Sequence, residues 1–262
     1  MEDDVLEQLV AMSNRLGDPA LDYVILGEGN TSARADDTTF WVKASGTELR
    51  TLSRDGFVRM SLERVRAMLD TIGLTNEGVR QTLDEARVET RAGLGHVHVV
   101  AARPSIETML HAFCLGLEGV RFVGHTHPSA VNAILCSQKV EKAIQGRLFP
   151  EEVTFCGPAP AYVPYTDPGL PLANRLREVL ADYQDIYAEP PRVIFLQNHG
   201  LIALGRTATE VENITAMCVK AARVLLGTYA LGGPRFLTAR DVERIHTRPD
   251  EVYRLEKLRE ER

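Results

Sequence analysis

A chain of 262 residues with 44% hydrophobic and 25% charged side chains carries enough apolar material for one substantial core, and a single domain over residues 1–262 is expected. Its net charge of -6 and sequence pI near 5.7, with no run rich in Lys or Arg, exclude the electrostatic footprint of a nucleic-acid binder, so an anionic ligand has to be held by local donors. No apolar stretch is read as approaching the roughly 20 residues that span a bilayer, and the acidic start Met1-Glu2-Asp3-Asp4 reverses the charge of a secretory leader, so a cytoplasmic protein without a membrane partner is expected.

In chain order, helical periodicity marks residues 3–16 and is broken by Gly17-Asp18-Pro19, after which Tyr23-Val24-Ile25-Leu26 reads as a short strand. Strands over 31–34 and 39–43 flank Asp36-Asp37, a hairpin signal. Helices are predicted over 61–70 and 78–90. Ser105, following Pro104, is a candidate N-cap for a helix that carries Glu107 and His111 and stops before Gly116. Residues 123–127 form a strand ended by Pro128, and 129–136 a helix. The segment 149–170, rich in Pro and Gly, reads as irregular with short strands, and a helix fits 171–183. Strands over 193–196 and 201–204 are separated by Gln197-Asn198-His199-Gly200, and Thr207 caps a long helix over 209–230. From Gly232 a polar tail follows, expected to be helical and able to pack on a partner subunit. Alternating strands and helices give an α/β or α+β class with a central sheet covered by helices. Cys114, Cys136, Cys156 and Cys218 are widely spaced and lack a CxxC, which suits reduced thiols in or near the core better than a disulfide frame.

Residues two apart in a strand share a face, so His125 and His127 project side by side and make a ready chelate. His199, in a tight turn between apolar strands, is the third proposed ligand. With no cysteine placed to close the shell, three imidazoles describe an open, catalytic metal site. His96-Val97-His98 repeats the spacing and is a rival chelate, although it follows Gly93-Leu94-Gly95 and looks like a loop entering a strand. Glu107 precedes the metal strand by one helix and is the candidate proton shuttle, partial burial being expected to raise its pKa; the plain alternative is a carboxylate favoured at a helix start. His111, one turn on, is read as a supporting or core histidine. Two turns, Gly27-Glu28-Gly29-Asn30-Thr31 and Ala44-Ser45-Gly46-Thr47, offer backbone N–H groups, hydroxyls and an amide to an anion, and Ser105 adds a hydroxyl.

Gly-Asn-Thr-Ser at 29–32, Lys-Ala-Ser-Gly-Thr at 43–47, Arg-Pro-Ser-Ile-Glu at 103–107, His-Thr-His-Pro at 125–128 and Gln-Asn-His-Gly at 197–200, in this order, resemble the class II aldolase/adducin family over about residues 5–230. Residues 41–49 and 103–113 look most like the aldolase half of bifunctional rhamnulose-1-phosphate aldolase/alcohol dehydrogenases; no GxGxxG after a strand represents the other half. The resemblance implies an α/β/α sandwich around a mixed, mainly antiparallel sheet, assembled as a homotetramer. It implies His125, His127 and His199 as ligands of Zn2+ (Mn2+, Co2+ and Fe2+ also suit imidazole), Glu107 as acid/base, and Gly29, Asn30, Ser45, Gly46 and Ser105 as contacts to a substrate phosphate. The implied reaction is cleavage of a ketose 1-phosphate, such as rhamnulose or fuculose 1-phosphate, to dihydroxyacetone phosphate and an aldehyde through a metal-bound enediolate. Pentulose-phosphate 4-epimerases of the family carry Asp at the position of Glu107, so Glu favours the aldolases. One departure stands out: related fuculose-phosphate aldolases use a Tyr where Phe155 lies here, and neither Tyr162 nor Tyr165 can be assigned its role. Two alternatives stay open, a metal-dependent decarboxylase of a sugar-acid phosphate or related acid, and a non-catalytic adducin-like module.

Overall fold

The computed structural model describes residues 2–71, 73–88 and 103–260. The rival chelate His96-Val97-His98 lies outside the described residues. The elements are α1 (Glu2–Leu16), β1 (Asn30–Arg34), β2 (Thr39–Lys43), β3 (Phe57–Ser61), α2 (Leu62–Ala67), α3 (Asn76–Glu85), α4 (Thr108–Leu115), β4 (Phe122–Thr126), α5 (Ser129–Leu135), α6 (Val140–Ile144), α7 (Pro150–Cys156), β5 (Ala161–Val163), α8 (Leu170–Tyr187), β6 (Val193–Leu196), β7 (Gly200–Gly205), α9 (Ala208–Thr228), α10 (Ala239–His246) and α11 (Pro249–Glu260).

The strands form one sheet in the order β3-β2-β1-β4-β7-β6-β5, antiparallel throughout except for the parallel pair β5-β6. Period-2 alternation divides its side chains between two cores. Phe40, Val42, Ile194, Leu196, Ile202 and Leu204 join the apolar residues of α2, α3, α4 and α8, whereas Ala33, Phe122, Val193, Leu201 and Ala203 join those of α1, α5, α7 and α9. The expected α/β/α sandwich with a mixed, mainly antiparallel sheet is therefore present. The β1-β2 hairpin is closed by Asp36, whose carboxylate accepts the Thr38 and Thr39 N–H groups at 2.7 and 2.8 Å. Its cradle of donors outweighs partial burial and holds that carboxyl well below the usual carboxylate range.

Several predicted elements are corrected. Residues 23–26 form a loop, not a strand: Leu26 has a left-handed φ of 53°, and Ile25 and Leu26 are exposed, so no face is available to bury. Residues 57–61 are an additional strand at the sheet edge. Pro150 opens helix α7, because a proline without an N–H costs nothing at the first helical position, and the Pro-rich segment is thus partly helical. The stretch Ala208–Leu231 is, contrary to expectation, long and apolar enough to cross a membrane by length and composition. In the fold α9 lies along the sheet with Val211, Ile214, Cys218 and Leu225 buried, which accounts for its apolar character. The tail packs on its own chain, with Phe236 against Gly146, His246 Nε2 2.8 Å from Glu189, and Thr154 Oγ1 donating to Glu251 at 3.3 Å. All four cysteines are unbridged; Cys114, Cys156 and Cys218 are buried, but Cys136 is exposed.

Candidate metal and catalytic site

Three chain segments meet at one edge of the sheet's centre: the start of β1, the end of β4 and the turn into β7. β4 is the middle strand, and its His125 pairs in register with Asn30 of β1 on one side and Ile202 of β7 on the other, so these side chains share a face. His127 follows just beyond the strand, where its N–H donates to the Tyr23 carbonyl at 2.8 Å, tying the 22–29 loop to the metal strand. Asn198 adopts a left-handed φ of 55° and turns the chain so that His199 faces back over β4, and Asn132 Nδ2 donates to the His199 carbonyl at 3.1 Å.

The three Nε2 atoms converge. His125 Nε2 stands 3.0 Å from that of His127 and 3.3 Å from that of His199. His125 Nδ1 lies 3.0 Å from the Leu201 carbonyl oxygen, which can only accept, so that nitrogen carries the ring proton and leaves Nε2 with a free lone pair. Burial, against the pull of Glu107, pushes the His125 pKa down to about 4. Burial and then its imidazole neighbours do the same to His127, to about 4. Neutral rings with lone pairs aimed at one point are the ligand form of histidine. Ligand atoms about 2.05 Å from a tetrahedral ion lie about 3.3 Å apart, so the two separations from His125 suit one divalent metal, and the three ligand atoms all lie within 4.8 Å of one another. All three rings belong to one group able to hold an ion.

Gly200 makes this approach possible. A Cβ there would lie 2.6 Å from both the Thr126 carbonyl oxygen and the His127 ring, and 3.2 Å from the His125 ring. Gly200→Ala is expected to destabilise the fold by about 1–3 kcal/mol, as overpacking does, and to weaken metal binding by displacing His127. Chemical unfolding together with metal titration measures both; unchanged metal affinity would contradict the packing argument. Gly29 (φ 69°) has a similar duty, since a Cβ there would come within 2.6 Å of the His125 carbonyl oxygen.

Glu107 is not inside the helix expected to carry it but at the N-cap of α4. Ser105 is not the cap; its hydroxyl accepts the Glu107 N–H at 3.3 Å in the preceding turn. The Glu107 carboxylate flanks the histidines, 3.3 Å from His199 Nε2 and 3.8 Å from His125 Nε2, and accepts a hydrogen bond from Asn30 Nδ2 at 2.5 Å. Burial alone would raise its pKa, but His125, His199 and Asn30 outweigh it and hold the carboxyl well below the usual range. The direction is the reverse of the sequence expectation, because the stabilising neighbours come from β1, β4 and the β7 turn.

Two residues at the site carried no assigned role in the sequence. Lys43 at the end of β2 is buried, and although burial lowers its amine pKa, Glu107 pulls the other way, so a cation stands near the carboxylate. Ser32 shares the Asn30 face of β1 and hydrogen-bonds to buried His111 on α4 at 2.6 Å. The turn at 44–47 pairs with 103–105 through the Ala44–Pro104 bridge and the Ser45 N–H to the Arg103 carbonyl (2.8 Å). Ser45, Gly46 and Ser105 are thus drawn toward the start of α4. The Ser45 N–H is already used, while a Cβ on Gly46 (φ 82°) would meet nothing within 4 Å, so that turn borders open space. Phe155 packs against the apolar cluster of α1, α5 and α9, together with Tyr162, whereas Tyr165 is exposed and takes the Gln197 side-chain oxygen on its N–H at 3.0 Å.

Burial also gives His111 a pH signature. Its pKa is pushed down to about 4 from an ordinary 6.5, mainly by burial, so between those values the unfolded chain binds a proton that the folded chain does not. Stability is therefore lost as pH falls through that window. In metal-free protein, the pH dependence of unfolding free energy is expected to flatten by about one proton in His111→Gln; an unchanged slope would contradict a buried neutral ring.

A profile of the family described as Class II Aldolase and Adducin N-terminal domain matches residues 7–226. The uncharacterized oxidoreductase YuxG of Bacillus subtilis (strain 168) is 28% identical over 230 residues, 83% of this chain; the chain spans only 29% of the length of that relative. The solved N-terminal Class II Aldolase domain of a conserved protein from Thermoplasma acidophilum is 26% identical, with a TM-score of 0.64 over 84% of this chain and 93% of its own. A solved L-fuculose 1-phosphate aldolase aligns with a TM-score of 0.66 over 93% of this chain and 94% of its own, and its 15% identity speaks to the fold alone.

Proposed function

Because the chain belongs to the Class II Aldolase and Adducin N-terminal domain family, we propose that it is a metal-dependent aldehyde-lyase that cleaves a ketose 1-phosphate of the rhamnulose or fuculose type. The products are dihydroxyacetone phosphate and an aldehyde. The observation that carries this reading is the convergence of three imidazoles with the Glu107 carboxylate at one end of the sheet. His125, His127 and His199 would hold the ion, for which zinc is proposed. When bound, such an ion supplies Lewis-acid stabilisation of negative charge developing on the substrate's C2 and C3 oxygens, worth several kcal/mol.

The chain's own residues account for the rest. As the C3–C4 bond breaks, its electron pair stays on C3, the C4 hydroxyl gives its proton to solvent water, and the C4 fragment leaves as the aldehyde. Glu107 handles the proton at C3: in synthesis its carboxylate removes one from dihydroxyacetone phosphate, and in cleavage it returns one. Asn30, Ser45, Gly46 and Ser105 are proposed to hold the phosphate, with Lys43 supplying the buried positive charge that an acidic protein otherwise lacks. Gly29 serves by letting β1 approach β4. Exposed Ile25 and Leu26, on the loop tied to His127, support an assembly in which a second copy covers the site, and a homotetramer in the cytoplasm is the proposed form.

The test is release of dihydroxyacetone phosphate from L-rhamnulose and L-fuculose 1-phosphates by metal-loaded protein. Product from either supports the reading, and absence of product from both would overturn that substrate class. A second reading draws on Phe155. No hydroxyl stands at that position to take up the proton that the C4 hydroxyl sheds, and loss of carbon dioxide from a carboxylate sheds no such proton, so decarboxylation of a sugar-acid phosphate uses the same histidines and Glu107. A non-catalytic adducin-like role gives no reason for those four side chains to converge.

A further inference from the structure

Behind Asn30 lies a buried pair of polar groups, Ser32 and His111, that the proposed chemistry does not use. We propose that Ser32 and His111 are positioning residues, locking the Asn30 amide in the one orientation that donates to Glu107. The inference rests on the acid/base reading of Glu107.

Once the Glu107 carboxylate, which only accepts, takes the Asn30 amide N–H, the other donors follow. Asn30 and Ser32, two apart on β1, point to the face covered by α4, and His111 reaches down between them. Ser32 is fully buried, His111 is 2% exposed and Asn30 5%. Both ring nitrogens of His111 are engaged: Nδ1 with Ser32 Oγ at 2.6 Å, and Nε2 with Asn30 Oδ1. An amide oxygen only accepts, so Nε2 carries the proton of a neutral ring, and Nδ1 accepts from the Ser32 hydroxyl. Asn30 Nδ2 then donates to Glu107 Oε2.

An amide rotated by half a turn would set its oxygen against the carboxylate, and would set its NH2 against the His111 N–H unless the ring proton moved to Nδ1 and the Ser32 hydroxyl turned round, so the rotated state costs two further rearrangements. Without His111 only the carboxylate would choose between the orientations, and that choice weakens whenever Glu107 is protonated during turnover. Packing alone does not account for the imidazole. Its helix neighbours Met109, Leu110, Ala112 and Leu115 are apolar and fully buried, and an apolar side chain of like size would fill the space without desolvating two ring nitrogens.

A half-reaction tests this without the aldehyde. Metal-loaded protein is incubated with dihydroxyacetone phosphate in D2O, and loss of the hydroxymethyl C–H signal is followed by NMR. His111→Phe is expected to slow exchange at saturating dihydroxyacetone phosphate by about 10- to 100-fold with metal content nearly unchanged. His111→Gln, which has both an N–H for Asn30 and an oxygen for Ser32, is expected to restore most of the rate. Wild-type exchange in His111→Phe, or equal losses in both variants, would overturn the inference. If the wild-type protein itself leaves the signal intact, the lyase reading fails, and the Asn30 side-chain amide protons decide the positioning inference. Protected, shifted amide signals in wild type and His111→Gln that lose protection and move toward free-amide positions in His111→Phe support it, whereas unchanged signals in His111→Phe refute it.

Discussion

Glu107→Gln in the metal-loaded protein is expected to cut turnover by about 10²- to 10⁴-fold, the usual contribution of a positioned acid/base, with metal content unchanged. Gln preserves the shape of the side chain and an oxygen to accept from Asn30 Nδ2, so the contact at 2.5 Å survives in kind. What it removes is the ability to take and return a proton at neutral pH. The three imidazoles converge on their own point, set by β4 and the turn into β7, and the tautomer of His125 is fixed by the Leu201 carbonyl and not by Glu107. A fully metallated Glu107→Gln protein with wild-type turnover would remove Glu107 from the chemistry and leave it a helix-start carboxylate.

His199→Ala is expected to lose the metal and to reduce turnover by about 10³-fold or more, in line with the several kcal/mol that Lewis-acid stabilisation supplies. This ligand isolates the metal from the fold. His125 is buried inside the central strand, so its replacement would also open a cavity, but His199 lies in a turn held by backbone contacts, its N–H to the Leu196 carbonyl at 3.1 Å and its carbonyl to Asn132 at 3.1 Å. Removing the imidazole leaves both in place. An unchanged melting temperature in metal-free samples, with metal lost only from the variant, is the expected pattern. Full metal content in His199→Ala would mean that the turn histidine is not a ligand.

The parts of the site legible in the sequence are those governed by local geometry. Strand periodicity alone puts His125 and His127 on one side, and Pro128 marks where the strand stops. The turn at 197–200 was also visible, yet its approach to the other histidines depends on the β4-β7 register, which pairs His125 with Ile202 and Thr126 with Leu201 and so sets Gly200 against His127. No short-range pattern encodes that pairing. Ser32 and His111 are 79 residues apart, and only the packing of α4 on β1 brings them together. For the same reason the direction of the Glu107 pKa was misjudged: burial could be anticipated, but not the two imidazoles and the amide delivered by three other segments. Local rules also misled where tertiary contacts prevail. Residues 23–26 have strand composition but no partner strand, and are bound instead through the Tyr23 carbonyl to His127.

The most direct test of the central claim is the metal content of wild-type protein purified without chelator, determined by elemental mass spectrometry. Close to one equivalent of a divalent transition metal per chain is the expected result. A chain that carries none, and takes up none after incubation with zinc, manganese, cobalt or ferrous iron, would contradict the assignment of His125, His127 and His199 as a metal site and the chemistry built on it.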